Sequence, residues 1–259
     1  MKIPLYQVDA FTGRVFGGNP AAVCPLESWI ADDLMQKIAE ENNLSETAFF
    51  VKKGSGYELR WFTPAIEIDL AGHPTLAAAY VIYNYIDTKA DRIVFSSKSG
   101  ELVITRKDDL ICMDFPSREG MPVKDNDPLN RGLGCKPLEL YKARDYLAVF
   151  NSEDEVLAMQ PDFEALKKLD CLGIIVSAPG READFVSRFF APSAGINEDP
   201  VTGSSHTTLI PYWARRLGKD KLHAYQLSKR RGELFCRYLG ARVEISGRAV
   251  TYLTGSINI

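Results

Sequence analysis

Much of this chain alternates between apolar and polar positions, the period of a half-buried strand. Read this way, it offers strands at 2–11, 46–51, 57–62, 92–97, 101–106 and 110–115 in its first half. The second half offers 139–142, 146–150, 171–177, 185–190, 223–228, 234–238, 242–245 and 249–254. A helical period appears at 31–41, with Leu34, Met35 and Ile38 facing inward, and again at 162–169. Two stretches differ. Residues 73–85 carry Leu76, Ala77, Ala78, Val81 and Ile82 among other apolar positions on every face, so this helix should be buried all round. Residues 204–217 read as its counterpart, more polar in the first two turns, with Pro211 expected to kink the helix or delay its start.

The two apolar helices are preceded by the same string. Arg60-Trp61-Phe62-Thr63-Pro64 is matched 128 residues later by Arg188-Phe189-Phe190-Ala191-Pro192. Each string ends a strand, passes through an acidic loop with Glu67 or Glu198, and reaches Gly72 or Gly203 just before the helix. A five-residue match could be chance, but the shared context makes duplication the better reading. Each half is then several strands around one central helix. The loop Ser117–Pro128, rich in Pro, Gly and Asp, marks the boundary between domains 1–117 and 118–259, and the last strand is able to return to the first lobe. A duplicated fold suggests a pseudo-twofold axis with a cleft along it. Helix starts aimed into that cleft would offer free N–H groups to an anion.

Composition narrows the function. A chain of 259 residues, 46% hydrophobic and 25% charged, can bury a core. Its net charge of −3 argues against a nucleic-acid partner, and the single tight basic run, Lys229–Arg231, reads as a solvated turn. Five cysteines with no C-x-x-C pair argue against a disulfide framework or zinc ribbon and for reduced thiols. The amino terminus lacks a signal-peptide h-region, and no apolar run approaches the roughly 20 residues that span a bilayer. A soluble, cytoplasmic protein with no membrane partner is expected.

Five strings in order, Asp9-Ala10-Phe11, Gly18-Asn19-Pro20-Ala21-Ala22-Val23, Asn43-Leu44-Ser45-Glu46-Thr47, Gly72-His73-Pro74-Thr75 and Glu198-Asp199-Pro200-Val201-Thr202-Gly203-Ser204, resemble the phenazine-biosynthesis PhzF-like family. The resemblance implies an α+β fold of the diaminopimelate-epimerase type, two pseudosymmetric lobes, each a β-barrel around a central helix. It further implies a cofactor-independent isomerase with no metal, similar to trans-2,3-dihydro-3-hydroxyanthranilate isomerase, acting on a small carboxylated substrate as a homodimer. By motif, Glu46 is the acid/base, His73 and Asp199 hold and polarise the substrate, and Gly72, Gly203 and Ser204 bind it at the helix starts.

Each of these residues also has a plainer reading. Glu46 taken alone is a loop carboxylate; in a partly dry cleft, burial would raise its proton affinity toward neutrality and let it accept and return a proton. His73 could be a helix cap or a core histidine, and neither His206 nor His223 stands at metal-ligand spacing from it. Asp199 before Pro200 could only initiate a turn, and Thr202, Ser204 and Ser205 could only cap a helix. Gly17-Gly18-Asn19-Pro20 reads as a tight turn, and the strand-like residues after it argue against phosphate cradling. The alternatives are a racemase or epimerase on the same fold, disfavoured because no cysteine lies at either helix start, and a non-enzymatic ligand-binding or partner-binding protein.

Overall fold

The helix His73–Val81 is buried at every position except Tyr80, as its apolar surface requires. The computed structural model describes residues 1–259, and the chain falls into two units, Met1–Asp114 with Ser246–Ile259, and Phe115–Ile245.

The first unit contains β1 (Lys2–Ala10), β2 (Asn19–Leu26), α1 (Asp32–Asn42), β3 (Glu46–Lys53), β4 (Gly56–Phe62), the short β5 (Glu67–Ile68), α2 (His73–Val81), β6 (Arg92–Ser97), β7 (Gly100–Lys107) and the start of β8 (Leu110–Pro116). The second contains β9 (Met121–Pro122), α3 (Asp127–Leu133), β10 (Glu139–Lys142), β11 (Tyr146–Val149), α4 (Glu153–Ala158), α5 (Phe163–Leu166), β12 (Ile174–Pro179), β13 (Phe185–Phe190), α6 (Gly203–Leu217), β14 (Lys221–Gln226), β15 (Gly232–Tyr238) and most of β16 (Arg242–Gly247). The last strand, β17 (Ala249–Asn258), pairs antiparallel with β1 in the first unit.

The duplication is explicit in the pairing. β1–β2, β2–β3, β3–β4, β4–β6 and β6–β7 run antiparallel, parallel, antiparallel, parallel and antiparallel. The series β10–β11, β11–β12, β12–β13, β13–β14 and β14–β15 repeats that succession. A parallel step needs a crossover, and helices fill the same crossovers in both series. α1 joins β2 to β3 as α4 and α5 join β11 to β12, and α2 lies between β4 and β6 as α6 lies between β13 and β14. Both units are mixed sheets with helices, an α+β arrangement.

Several expected elements differ in extent. The helix expected over 73–85 stays α-helical only to Val81 and widens into a π-turn over Ile82–Ile86, closed by Asp87 N–H donating to Ile82 O at 2.8 Å. The helix expected over 162–169 shrinks to α5, with Asp162 accepting from Ala165 N–H at 3.0 Å as its cap. Pro211 neither delays nor ends α6, which runs from Gly203 through it to Leu217. The carbonyl that Pro211 cannot serve is that of Thr207, and it accepts instead from Arg118 N–H at 2.9 Å. Leu34 is half-buried, while Met35 and Ile38 are buried. The short helices α3 and α4 were not expected. Asn126 and Ser152 cap them, accepting from Leu129 N–H at 3.1 Å and Glu155 N–H at 3.3 Å.

The repeated strings gain a physical account. In each, the arginine's guanidinium lies over the phenylalanine two residues on, on the same strand face: Arg60 over Phe62 at 5.2 Å and Arg188 over Phe190 at 4.9 Å. Each also grips the glutamate of the following loop with two donors. Arg60 reaches Glu67 at 2.7 and 2.9 Å, and Arg188 reaches Glu198 at 2.7 and 3.0 Å. The string is therefore a device for folding the loop that leads to the helix.

Candidate active site

In the first unit the local chain geometry brings Glu46, His73 and Asn19 together. Glu46 opens β3 and His73 opens α2. His73 Nε2 lies 3.1 Å from Glu46 Oε2, with side-chain exposures of 5% and 13%. On the other side of the ring, Nδ1 lies 3.1 Å from Asn19 Nδ2, and both residues are buried. The donor and acceptor roles across this contact follow the ring's tautomer, and Nε2 is the nitrogen that faces Glu46. The approach to Glu46 is close, but it lacks the angle of a hydrogen bond in the free protein. Burial lowers the His73 pKa from the ordinary 6.5 to about 3, with the Pro20 carbonyl weakly opposing, so the imidazole beside Glu46 is neutral at physiological pH.

The placement of Asn19 explains two of the motif strings. The chain between β1 and β2 turns through Gly18 at a φ of +59°, where a Cβ would fall 2.0 Å from Ala10 O. No other residue type fits that turn. Asp9 is buried and accepts from Phe16 N–H at 2.8 Å, pinning the far side of the same loop. The Asp-Ala-Phe and Gly-Asn-Pro strings thus build one loop that delivers Asn19 to His73.

In the second unit Asp199, Gly203 and Ser204 lie where β13 leads into α6. Asp199 N–H donates to Phe189 O at 3.0 Å, and the Asp199 carboxylate accepts from the Thr202 hydroxyl. Thr202 is the N-cap residue of α6, yet no side chain caps the helix. The start of α2 at Gly72 is likewise without a side-chain cap. Ser204 Oγ accepts from Arg144 Nη2 at 3.1 Å, and Arg144 also grips buried Asp145. The start of α6 therefore combines uncapped backbone N–H groups, a hydroxyl and a guanidinium, a donor set suited to an anion.

Three residues here carried no site role on sequence grounds: Asn19, Arg144 and Gln226. Gln226 is fully buried and bonded to the Asp199–Thr202 loop. One signal for it exists, since it falls on the same phase of β14 as buried Leu222 and Ala224, where an apolar residue belongs. No cysteine opens α2 or α6. Cys24, Cys112 and Cys236 are buried, and burial pushes the Cys24 thiol up to about 12.

The description phenazine biosynthesis-like protein (PhzC-PhzF) matches residues 8–255. The chain belongs to this family. It is 49% identical over 259 residues to an uncharacterized isomerase of Pseudomonas aeruginosa, covering 100% of both chains. A PhzF-family crystal structure from Enterococcus faecalis superposes with a TM-score of 0.96 at 48% identity, again over 100% of both chains. A hydroxyproline epimerase from Agrobacterium vitis shares the fold alone, with a TM-score of 0.62 at 11% identity over 99% of this chain and 92% of that one. The fold of this family member is thus the diaminopimelate-epimerase-like α+β fold. No helix in it is long and apolar enough to cross a membrane.

Proposed function

We propose that this PhzF-family protein is a cofactor-independent isomerase that moves a proton on a small carboxylated metabolite, with Glu46 as the general acid/base. The observation that carries the reading is the 3.1 Å approach of Glu46 to His73, a histidine held neutral by burial. A neutral imidazole brings no positive charge to the carboxylate, so it can orient Glu46 without weakening it as a base. Glu46 would take a proton from one carbon of the substrate and return it to another, ending in its starting state. The His73 approach would tighten into a hydrogen bond in the substrate complex, as catalytic contacts in free enzymes commonly do.

The remaining residues bind. The uncapped start of α6 at Gly203 and Ser204, with Arg144 beside it, is assigned the substrate carboxylate. Asp199 is assigned an amine or hydroxyl of the substrate, and His73 with Gly72 a second polar group. Neither Gly72 nor Gly203 stands at positive φ, so their use here is the missing Cβ, which permits close approach of a ligand.

The test is solvent-deuterium incorporation into a panel of small cyclic and acyclic carboxylic acids, followed by mass spectrometry. Wild-type protein is expected to label at least one acid, and Glu46→Gln to lose at least about a hundredfold in rate while keeping its melting temperature. Unchanged labelling by Glu46→Gln would remove Glu46 from the chemistry. Absence of labelling from the whole panel would favour a ligand-binding role.

A further inference from the structure

We propose that Gln226 and Thr202 form a positioning relay for Asp199, in which Gln226 fixes the Thr202 hydroxyl and the hydroxyl fixes the Asp199 carboxylate. Gln226 ends β14 and is wholly buried on the same strand face as Leu222 and Ala224. A polar side chain there has to find partners inside the protein. All of its partners lie in one loop. Its Oε1 accepts from Thr202 N–H at 2.8 Å, and its Nε2 donates to Asp199 O at 2.8 Å and to Thr202 Oγ1 at 3.1 Å.

These contacts settle which way the amide points. Turned over, it would set its NH2 against a backbone N–H and its oxygen against a carbonyl. They also settle the hydroxyl. Thr202 Oγ1 accepts from Gln226, so its one hydrogen goes to Asp199 Oδ2, its other contact. The direction is fixed throughout: Gln226 N–H to Thr202 O–H to Asp199 carboxylate, each donor polarising the next. The Asp199 carboxylate is thereby oriented as an acceptor.

A second feature of the site follows. Threonine at an N-cap ordinarily turns its oxygen onto the first turn of its helix. Here the hydroxyl is committed to Asp199, and α6 begins without a side-chain cap. The relay therefore both orients Asp199 and keeps the helix start open. Its importance for turnover rests on the assignment of Asp199 to substrate binding, whereas its existence does not.

The test uses the full chain labelled with 13C at aspartate, with variants Gln226→Glu, Thr202→Val, Thr202→Ser and the double variant Thr202→Val/Gln226→Glu. Gln226→Glu preserves shape and an acceptor for Thr202 N–H but loses both N–H donors. The carboxyl carbon signal of Asp199 at pH 7, without any substrate, is expected to move in Gln226→Glu and Thr202→Val and to stay in place in Thr202→Ser. With a labelled acid in hand, kcat/KM is expected to fall roughly tenfold to a hundredfold in the first two and to return to near wild type in Thr202→Ser. The double variant should be no worse than the worse single one, because both act through one hydroxyl. An Asp199 signal unmoved in Gln226→Glu would overturn the relay, as would double-variant losses that multiply. If Gln226→Glu does not fold, Thr202→Val against Thr202→Ser decides, and identical Asp199 signals in those two overturn it. Failure to find a substrate counts against the proposed isomerase and leaves the spectroscopic result standing.

Discussion

Arg188 meets Glu198 in a two-pronged pair at 2.7 and 3.0 Å and spends its remaining nitrogen on the carbonyls of Val156 and Met159, at 3.0 and 2.9 Å. One guanidinium thus ties the loop carrying Asp199 to the end of α4. Arg60 makes the matching pair with Glu67, but its third nitrogen goes to Asp32, whose side chain is 74% exposed. The two copies of the string should therefore differ in worth. Arg188→Ala is expected to cost about 3–5 kcal/mol, since it strands two carbonyls together with the Glu198 carboxylate, and Arg60→Ala distinctly less, since Lys98 still reaches Glu67. Arg188→Lys should recover only part of the loss, because an ammonium cannot reproduce the fork. Urea unfolding of the three variants checks the order, and equal costs at 60 and 188 would refute it.

Gly18 offers a sharper backbone test. A Cβ at this position falls 2.0 Å from Ala10 O and 2.8 Å from Thr12 Cγ2, at a φ of +59°. The backbone oxygen cannot move aside without opening β1 from β2. Gly18→Ala is expected to lose more than about 2 kcal/mol and, by displacing Asn19, to lower any deuterium-labelling activity. Gly54 is the control, since it has a similar φ of +57° with nothing near its Cβ position. Gly54→Ala should cost only about 1 kcal/mol. Thermal melts of both variants give the comparison.

The legible parts of this protein were those written in local pattern. Strands such as β4, β14 and β15 follow from period-two alternation, β12 and β13 are short runs buried almost throughout, and the all-round apolar surface of 73–81 marks the helix that the first sheet buries. The duplication was visible because Arg60 and Arg188 each need an aromatic ring two residues on and a glutamate in the next loop, and such needs leave a repeated string. What stayed illegible depends on partners far along the chain. Asn19 finds His73 54 residues away, and the carbonyl freed by Pro211 finds Arg118. Gln226 looked like an ordinary strand residue because its partners sit 24 and 27 residues earlier. The motif strings supplied Glu46, His73 and Asp199 as candidates, but the residues that orient them emerge only from the folded chain.

The two helices that carry the candidate site also set how the protein should respond to acid. Burial lowers His73 from 6.5 to about 3 and His206 from 6.5 to about 4, with weak opposition from the Pro20 and Thr202 carbonyls respectively. Glu67 shifts the same way for a different reason, as hydrogen bonds from Arg60 hold its carboxyl below its usual range. For all three groups the folded value lies below the unfolded one, so the unfolded chain binds more protons across the interval between them. Stability is then fully present above about pH 6.5 and falls as the pH drops toward 4 and 3. Each histidine can add at most about 1.4 kcal/mol per pH unit to that slope. Urea unfolding at pH 7.5, 6, 5 and 4 should show a progressive loss, with the decline between pH 6 and 5 shallower in His206→Gln than in wild type. His206 is the better choice for this variant, because His73 faces Glu46 and its replacement would alter the candidate chemistry as well. Stability that holds level from pH 7.5 down to 4 would mean that the two imidazoles become charged inside the folded protein, and the neutral His73 on which the proposed role of Glu46 depends would have to be abandoned.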